Sequence, residues 1–207
     1  MFITLEGIDY SGKTTQAKLL VERLKKTKKE VIFLREPGGT NISEKIRSIL
    51  LDKQHLELTQ IAELFLFSAA RHQLVTEVIK PALKSGKFVV CDRYDDSTTA
   101  YQGYGRGIDL NDVKLINRIA TEGLRPDLTF YLDVQIEEIF KRQQSKNVST
   151  DRMEESGRIF FEKVRKGYLV LAKEEPERFI VVNGNRQIDI IHNEIWEIIK
   201  QRIEKND

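Results

Sequence analysis

The chain is poor in the residues that build covalent or fibrous scaffolds. Its 207 residues include one cysteine, Cys91, and four prolines. A lone thiol excludes a disulfide framework or a thiolate cluster within one chain and fits a reducing compartment, so a cytoplasmic location is expected. With no Gly-rich linker, no internal repeat and no low-complexity tract, nothing marks a boundary, and one domain over 1–207 is expected. An excess of one charge is also missing. The 34 Lys+Arg against 32 Asp+Glu leave a formal charge of +2, which argues against a nucleic acid or an anionic membrane as partner. No apolar run approaches the roughly 18–20 residues of a membrane helix. Met1 leads into Phe2–Leu5 with no basic n-region or cleavage site, so export is not expected either.

What is present is enough apolar mass for a core, 40% of residues, with 32% charged. Five short runs rich in β-branched and aromatic residues recur at Phe2–Leu5, Val31–Leu34, Phe88–Cys91, Thr129–Leu132 and Phe179–Val182. Each predicts a strand. Between them apolar residues recur at helical spacing, as in Ala17, Leu20, Val21 and Leu24, or Ile188, Ile191, Ile195, Ile198 and Ile199. Strands alternating with helices predict an α/β fold, a five-stranded parallel sheet with helices on both faces, and continuous apolar runs predict strands buried on both sides. One stretch departs from the even charge. Lys141–Lys166 carries eight basic and four acidic residues, and its polar centre, Gln143–Thr150, predicts an exposed loop between two helices.

Residues 7–14 read GIDYSGKT, a full match to G-x-x-x-x-G-K-[ST] directly after the first strand and before a helical pattern. Gly7 and Gly12 let the backbone turn so that successive N–H groups point inward, onto the positive end of the following helix. That geometry suits a nucleoside triphosphate. Lys13 is placed to neutralise β and γ phosphates, and the Thr14 hydroxyl to meet Mg²⁺. At the end of the third strand Asp92 and Arg93 reach the carboxyl edge, where open α/β sheets bind ligands. Asp92 can hold a metal through water, or the two can simply cap the strand as an ion pair. No N-K-x-D guanine motif occurs, which favours ATP.

Together with the phosphate loop, REPGGT (35–40), LFLFSAAR (64–71), DRYDDSTTAYQG (92–103) and DRMEESGRIFFEKVRKGYLVLA (151–172) make the chain resemble the bacterial thymidylate kinases of the nucleoside monophosphate kinase group. The likeness runs over nearly the whole chain. It implies a P-loop NTPase fold with a helical lid at about 141–158, transfer of the ATP γ-phosphoryl group to dTMP with Mg²⁺, and a homodimer. It implies an ATP cradle of Gly7, Ile8, Asp9, Tyr10, Ser11, Gly12, Lys13, Thr14 and Thr15. Arg142 packs on adenine, with the turn from Asn183 to Arg186 as the opposite wall. On the acceptor side it implies Phe67 stacked on thymine, Arg71 donating to its O4, and Thr98 and Gln102 at the other edge. Tyr101 lies beside C2 of the sugar, Asp9 accepts the 3′-hydroxyl, and Arg93, Arg35, Glu36 and Arg47 line the phosphate side. From pattern alone Phe67 reads equally as core, and Arg71 as half of a surface ion pair. Since Ile8–Ser11 hold no cation, the lid is expected to supply one, Arg152 first, with Lys146 and Arg158 as alternatives. Tyr10 departs from the small residue usual in this family. Another nucleotide or nucleoside kinase, or a silent ATP-binding scaffold, are the competing readings.

Overall fold

A computed structural model describes residues 1–146 and 151–205, without the side chain of Lys146. Five strands, β1 (Phe2–Glu6), β2 (Val31–Arg35), β3 (Phe88–Asp92), β4 (Leu128–Asp133) and β5 (Phe179–Asn183), form one sheet in the order β2-β3-β1-β4-β5. Every neighbouring pair is parallel. Each strand covers a predicted run and extends it by one or two residues. Burial on both faces holds for β1, β3 and most of β4, whereas the edge strands β2 and β5 keep half-exposed positions. An edge has a neighbour on one side only, so its cover is thinner.

Nine α-helices flank the sheet among the described residues: α1 (Lys13–Lys26), α2 (Asn41–Leu51), α3 (Gln60–Leu74), α4 (Lys80–Lys84), α5 (Asp95–Thr98), α6 (Leu110–Thr121), α7 (Ile136–Lys146), α8 (Arg158–Glu174) and α9 (Ile188–Glu204). On one face the α1 stripe of Ala17, Leu20, Val21 and Leu24 meets Ile191, Ile195 and Ile199 of α9 over Ile3, Leu5 and Phe130. On the other, Leu74 and Ile79 cover Phe2, Val89 and Cys91. A third cluster joins Phe160, Phe161, Val164 and Tyr168 of α8 to Tyr101 and Tyr131, which gives these aromatics the buried stripe their spacing predicts.

Two stretches of wider π-helical winding were not legible in the sequence. Val75–Ile79 links α3 to α4, and Thr99–Gly105 continues α5. The second turns Tyr101 and Gln102 inward, both almost fully buried. It also lets α8 approach closely, since a Cβ on Gly105 would lie 2.6 Å from the Phe160 ring. Of the loop predicted over Gln143–Thr150, residues 143–146 are helical and the rest lies outside the described residues. Helix α7 runs on to Lys146, because nothing from Ile136 onward breaks it, and Glu137 and Glu138 stabilise its first turn.

Candidate active site

Three loops, at the carboxyl ends of β1, β2 and β3, meet in one cleft. The first, after β1, is the glycine-rich loop. Ser11 N–H donates to the Ile8 carbonyl at 3.1 Å, closing the turn. Gly7 has φ 151°, and a Cβ there would lie 2.6 Å from Ser11 Oγ and 3.1 Å from the Leu132 carbonyl, so the fold admits only glycine. Tyr10 adopts φ 66°, a conformation costly for a bulky residue. Two contacts hold it: its hydroxyl donates to Glu154 Oε2 at 2.8 Å, and its carbonyl accepts from Arg142.

Two buried polar atoms beside this loop have no protein partner, Ser11 Oγ and Asp92 Oδ1, while Asp92 Oδ2 accepts from Thr14 Oγ1. An unsatisfied carboxylate oxygen next to a threonine hydroxyl at the phosphate loop is a hard-oxygen donor set that fits Mg²⁺. No cluster of three or more His, Cys, Asp or Glu gathers for a metal among the described residues, so most of the ion's shell would come from water and phosphate oxygens.

Asp9 sits where the two halves of the cleft join. Its Oδ1 accepts from Lys13 Nζ at 3.1 Å and from Arg93 Nη2 at 2.8 Å. Burial works against the Asp9 carboxylate, but Arg93 and Lys13 outweigh it and hold the carboxyl well below its ordinary range. Arg93, at φ 73°, also donates to the Tyr101 hydroxyl at 3.1 Å and lies over the Tyr101 ring.

Beyond Asp9 opens a cleft of about 550 Å³. Phe67, Arg71, Thr98, Tyr101 and Gln102 line it, with Glu36, Arg47 and Arg93 nearby on its wall. Phe67 and Arg71 are one turn apart on α3 and share this face. Arg71 is 2% exposed and anchored by all three nitrogens. Nε donates to Glu36 Oε2 at 2.7 Å, one terminal nitrogen to Thr98 Oγ1 at 2.8 Å and Asn117 Oδ1 at 3.3 Å, and the other to the Tyr94 carbonyl at 3.0 Å. Burial lifts the Glu36 carboxyl to about 7 despite the Arg71 charge.

A thymidylate kinase family model matches residues 5–195. The chain belongs to the thymidylate kinase family. Among its relatives, the thymidylate kinase of Chlorobium luteolum is 48% identical over 213 residues, covering 99% of each chain. That of Caldanaerobacter subterraneus subsp. tengcongensis is 48% identical over 200 residues, 97% of this chain and 95% of the relative. The crystal structure of a thymidylate kinase from Ehrlichia chaffeensis superposes with a TM-score of 0.78 at 36% identity, over 97% of this chain and 98% of that one.

In this family member the remaining expected residues fall into three groups. Arg142 bridges the Tyr10 and Gly184 carbonyls at 3.3 and 3.1 Å, bringing helix α7, the phosphate loop and the turn after β5 together. In that turn Arg186 donates to the Asn183 carbonyl and pairs with Glu194. Arg35 and Arg47 part company: Arg47 lines the cleft and donates to the Pro37 carbonyl, whereas Arg35 lies outside the lining and pairs with Glu44. Arg152 points away from the phosphate loop. It donates to Glu63 Oε2 at 2.6 Å and to the Leu50 carbonyl at 2.8 Å, which ties the backbone around Arg152 to helices α2 and α3 beside the cleft. Arg158 pairs on the surface with Glu137 and Glu162, and the Lys146 side chain lies outside the described residues.

Several residues that shape the site were not singled out in the sequence. Pro37, Leu51, Ser97, Asp151 and Met153 complete the lining. Glu63, 1% exposed, gathers Gln102, Arg106 and Arg152; burial opposes its charge, but Arg106, Gln102 and Arg152 hold its carboxyl below the ordinary range. Glu6 closes β1 as a fully buried carboxyl. Glu6 and Glu63 are acidic residues inside otherwise apolar segments, which was the available signal.

Proposed function

We propose that the chain transfers the γ-phosphoryl group of ATP to dTMP, giving dTDP and ADP, as one kinase domain with the segment 141–158 as its lid. The observation that carries this is the Asp9 junction: the lysine of the ATP loop and the arginine of the acceptor cleft converge on one oxygen. Donor and acceptor phosphates would meet there.

The acceptor phosphate oxygen is already anionic, so no base is needed to generate the nucleophile, and the protein's task is alignment and charge neutralisation. Lys13 and the loop amides bind the β and γ phosphates, and Arg93 binds the dTMP phosphate with Arg47 and Arg35 behind it. Thr14 and Asp92 would hold Mg²⁺, which would offset the charge of the phosphates. Phe67 stacks on thymine, and Arg71 donates to O4, with Thr98 and Gln102 at the far edge of the base. Tyr101 fills the space a 2′-hydroxyl would need, and Asp9 accepts the 3′-hydroxyl. Arg142 with Asn183 and Arg186 encloses adenine. Arg152 serves as the lid cation on the transferred group only by exchanging Glu63 for phosphate; docked on Glu63, it roofs the acceptor cleft.

The chain acts as a homodimer through neighbouring helices α2, α3 and α6. Their outer faces expose Ile42, Ile49, Ile61, Phe65, Leu115 and Ile119, each at least 42% accessible, an apolar area that a second copy would cover. Sedimentation equilibrium reads this directly. For the activity, a panel of nucleoside monophosphates and nucleosides is assayed with ATP and Mg²⁺, following ADP and phosphorylated product. The expected outcome is turnover of dTMP above the rest of the panel. ATP binding without transfer to dTMP would overturn the assignment.

A further inference from the structure

Glu6 belongs to neither the phosphate loop nor the cleft lining, yet it is fully buried one side chain behind Arg93, linked to it through Ser97 and Tyr168. Its Oε1 accepts the Tyr94 N–H at 2.7 Å. That peptide follows Arg93, whose φ of 73° is unfavourable for a non-glycine residue, so the bond pins the backbone that aims the arginine. Its Oε2 accepts from Ser97 Oγ at 2.6 Å and from the Tyr168 hydroxyl at 2.8 Å. Arg93 Nη1 in turn donates to the same two hydroxyls, at 3.3 and 3.5 Å.

A hydroxyl has one proton to give. With Glu6 ionised, Ser97 and Tyr168 both spend that proton on its carboxylate and turn lone pairs toward Arg93. With Glu6 protonated, its own O–H donates to one of them, and that hydroxyl must turn its proton away from the carboxyl, toward the other hydroxyl at 3.0 Å or toward the arginine, so both lone-pair sets no longer face Arg93 as they do against the carboxylate. We propose that Glu6 is a positioning residue for the acceptor phosphate, its carboxylate fixing Arg93 at both backbone and guanidinium through Tyr94, Ser97 and Tyr168. The inference rests on Arg93 being the acceptor-phosphate ligand, as assigned above.

The groups facing Glu6 are Cys91 of β3 with Arg93 and Tyr94 just beyond it, Asp96 and Ser97 from α5, Tyr101 from the π-helical turn after it, and Tyr168 from α8. Burial and the like charge of Asp96 outweigh Arg93 and the two hydroxyls and lift the Glu6 carboxyl to about 7. The orienting charge is therefore lost within a pH range where the enzyme can be assayed.

The test compares the wild type with Glu6→Gln and Tyr168→Phe in steady-state kinetics from pH 5.5 to 8.5. Glu6→Gln presents an N–H₂ to the hydroxyls and is expected to raise KM for dTMP about tenfold with KM for ATP within about twofold. In the wild type, kcat/KM for dTMP falls on the acid side as Glu6 and the Glu36 carboxyl behind Arg71 protonate near 7 and the substrate phosphate near ~6. Glu6→Gln should remove the Glu6 step alone and make the acid limb shallower. Tyr168→Phe removes one arm and should raise KM for dTMP less, again sparing ATP; it carries the test if Glu6→Gln fails to fold. Parallel rises in both KM values, or an unchanged acid limb, would overturn the inference. A wild type that does not phosphorylate dTMP would instead overturn the functional assignment itself.

Discussion

Replacing Arg71 by lysine tests the reading of the base without removing the buried charge. The guanidinium reaches Glu36, Thr98, Asn117 and the Tyr94 carbonyl at once and still borders the cleft. An ammonium can keep the pairing with Glu36, but it is a point charge on a flexible stem and cannot hold that fork while also meeting the base. What is lost is a hydrogen bond from a charged donor in a buried pocket, about 1.5–3 kcal/mol, or roughly 10- to 150-fold in kcat/KM for dTMP. The ATP side should be untouched, because none of the four Arg71 partners belongs to the phosphate loop. The assay is ADP release at saturating ATP over a dTMP series, then the reverse titration, with a thermal melt to show that the variant is folded. Equal losses for both substrates, or a change under about threefold for dTMP in a folded variant, would refute the assignment.

Lys13→Ala should lower kcat by about 10²–10³, the scale of one lost electrostatic contact to a transition state, and unchanged turnover would contradict its role. Arg178→Met strips Asp96, 2% exposed, of a bidentate partner at 2.7 and 3.0 Å. Leaving that carboxylate buried should cost about 3–5 kcal/mol by urea denaturation. Most of the loss should return in Asp96→Asn/Arg178→Met, and a double variant no better than the single would refute the pairing. Stability should also fall as pH rises from about 4.5 to about 7. Burial raises Glu6 and Glu36 from 4.5 to about 7, so the folded chain binds those protons more tightly than the unfolded one throughout that window. Each contributes on the order of 3 kcal/mol of stability that is fully present below 4.5 and lost by about 7. A urea midpoint higher at pH 7.5 than at pH 5 would contradict this.

Local chemistry made much of the fold legible. The strands announce themselves because a buried parallel strand must be apolar without interruption, and the phosphate loop because its turns require glycine at fixed places. LFLFSAAR carries its face in its spacing, and the structure sets Phe67 and Arg71 on one wall of the cleft. What could not be read depends on partners far apart in the chain. Arg152 looks like a free lid cation until Glu63, 89 positions away, is placed beneath it. Glu6 looks like the end of a strand until Tyr168, 162 positions on, donates to it. The π-helical winding that turns Tyr101 and Gln102 inward has no counterpart in residue type or period, because packing against α8 selects it.

Apart from Arg47, which donates to the Pro37 carbonyl, the cations in and around the cleft are already paired with carboxylates: Lys13 and Arg93 with Asp9, Arg71 with Glu36, and Arg106 and Arg152 with Glu63. The pairings differ in what a phosphate can do to them. Glu36 and Glu63 are almost fully buried, so their arginines are held as fixed donors that a ligand meets without displacing. Asp9 is different, with a side chain 30% exposed and both contacts on one oxygen. Lys13 Nζ and Arg93 Nη2 therefore lie within about 6 Å of each other and repel, and the carboxylate between them offsets that repulsion. A phosphate entering on either side supplies the same negative charge with more oxygens. It can draw one cation off Asp9 without leaving that cation unpaired, while the carboxylate keeps the other in place. The rigid pairs thus select the base, and the one accessible pair yields to the phosphates at the point where they must meet.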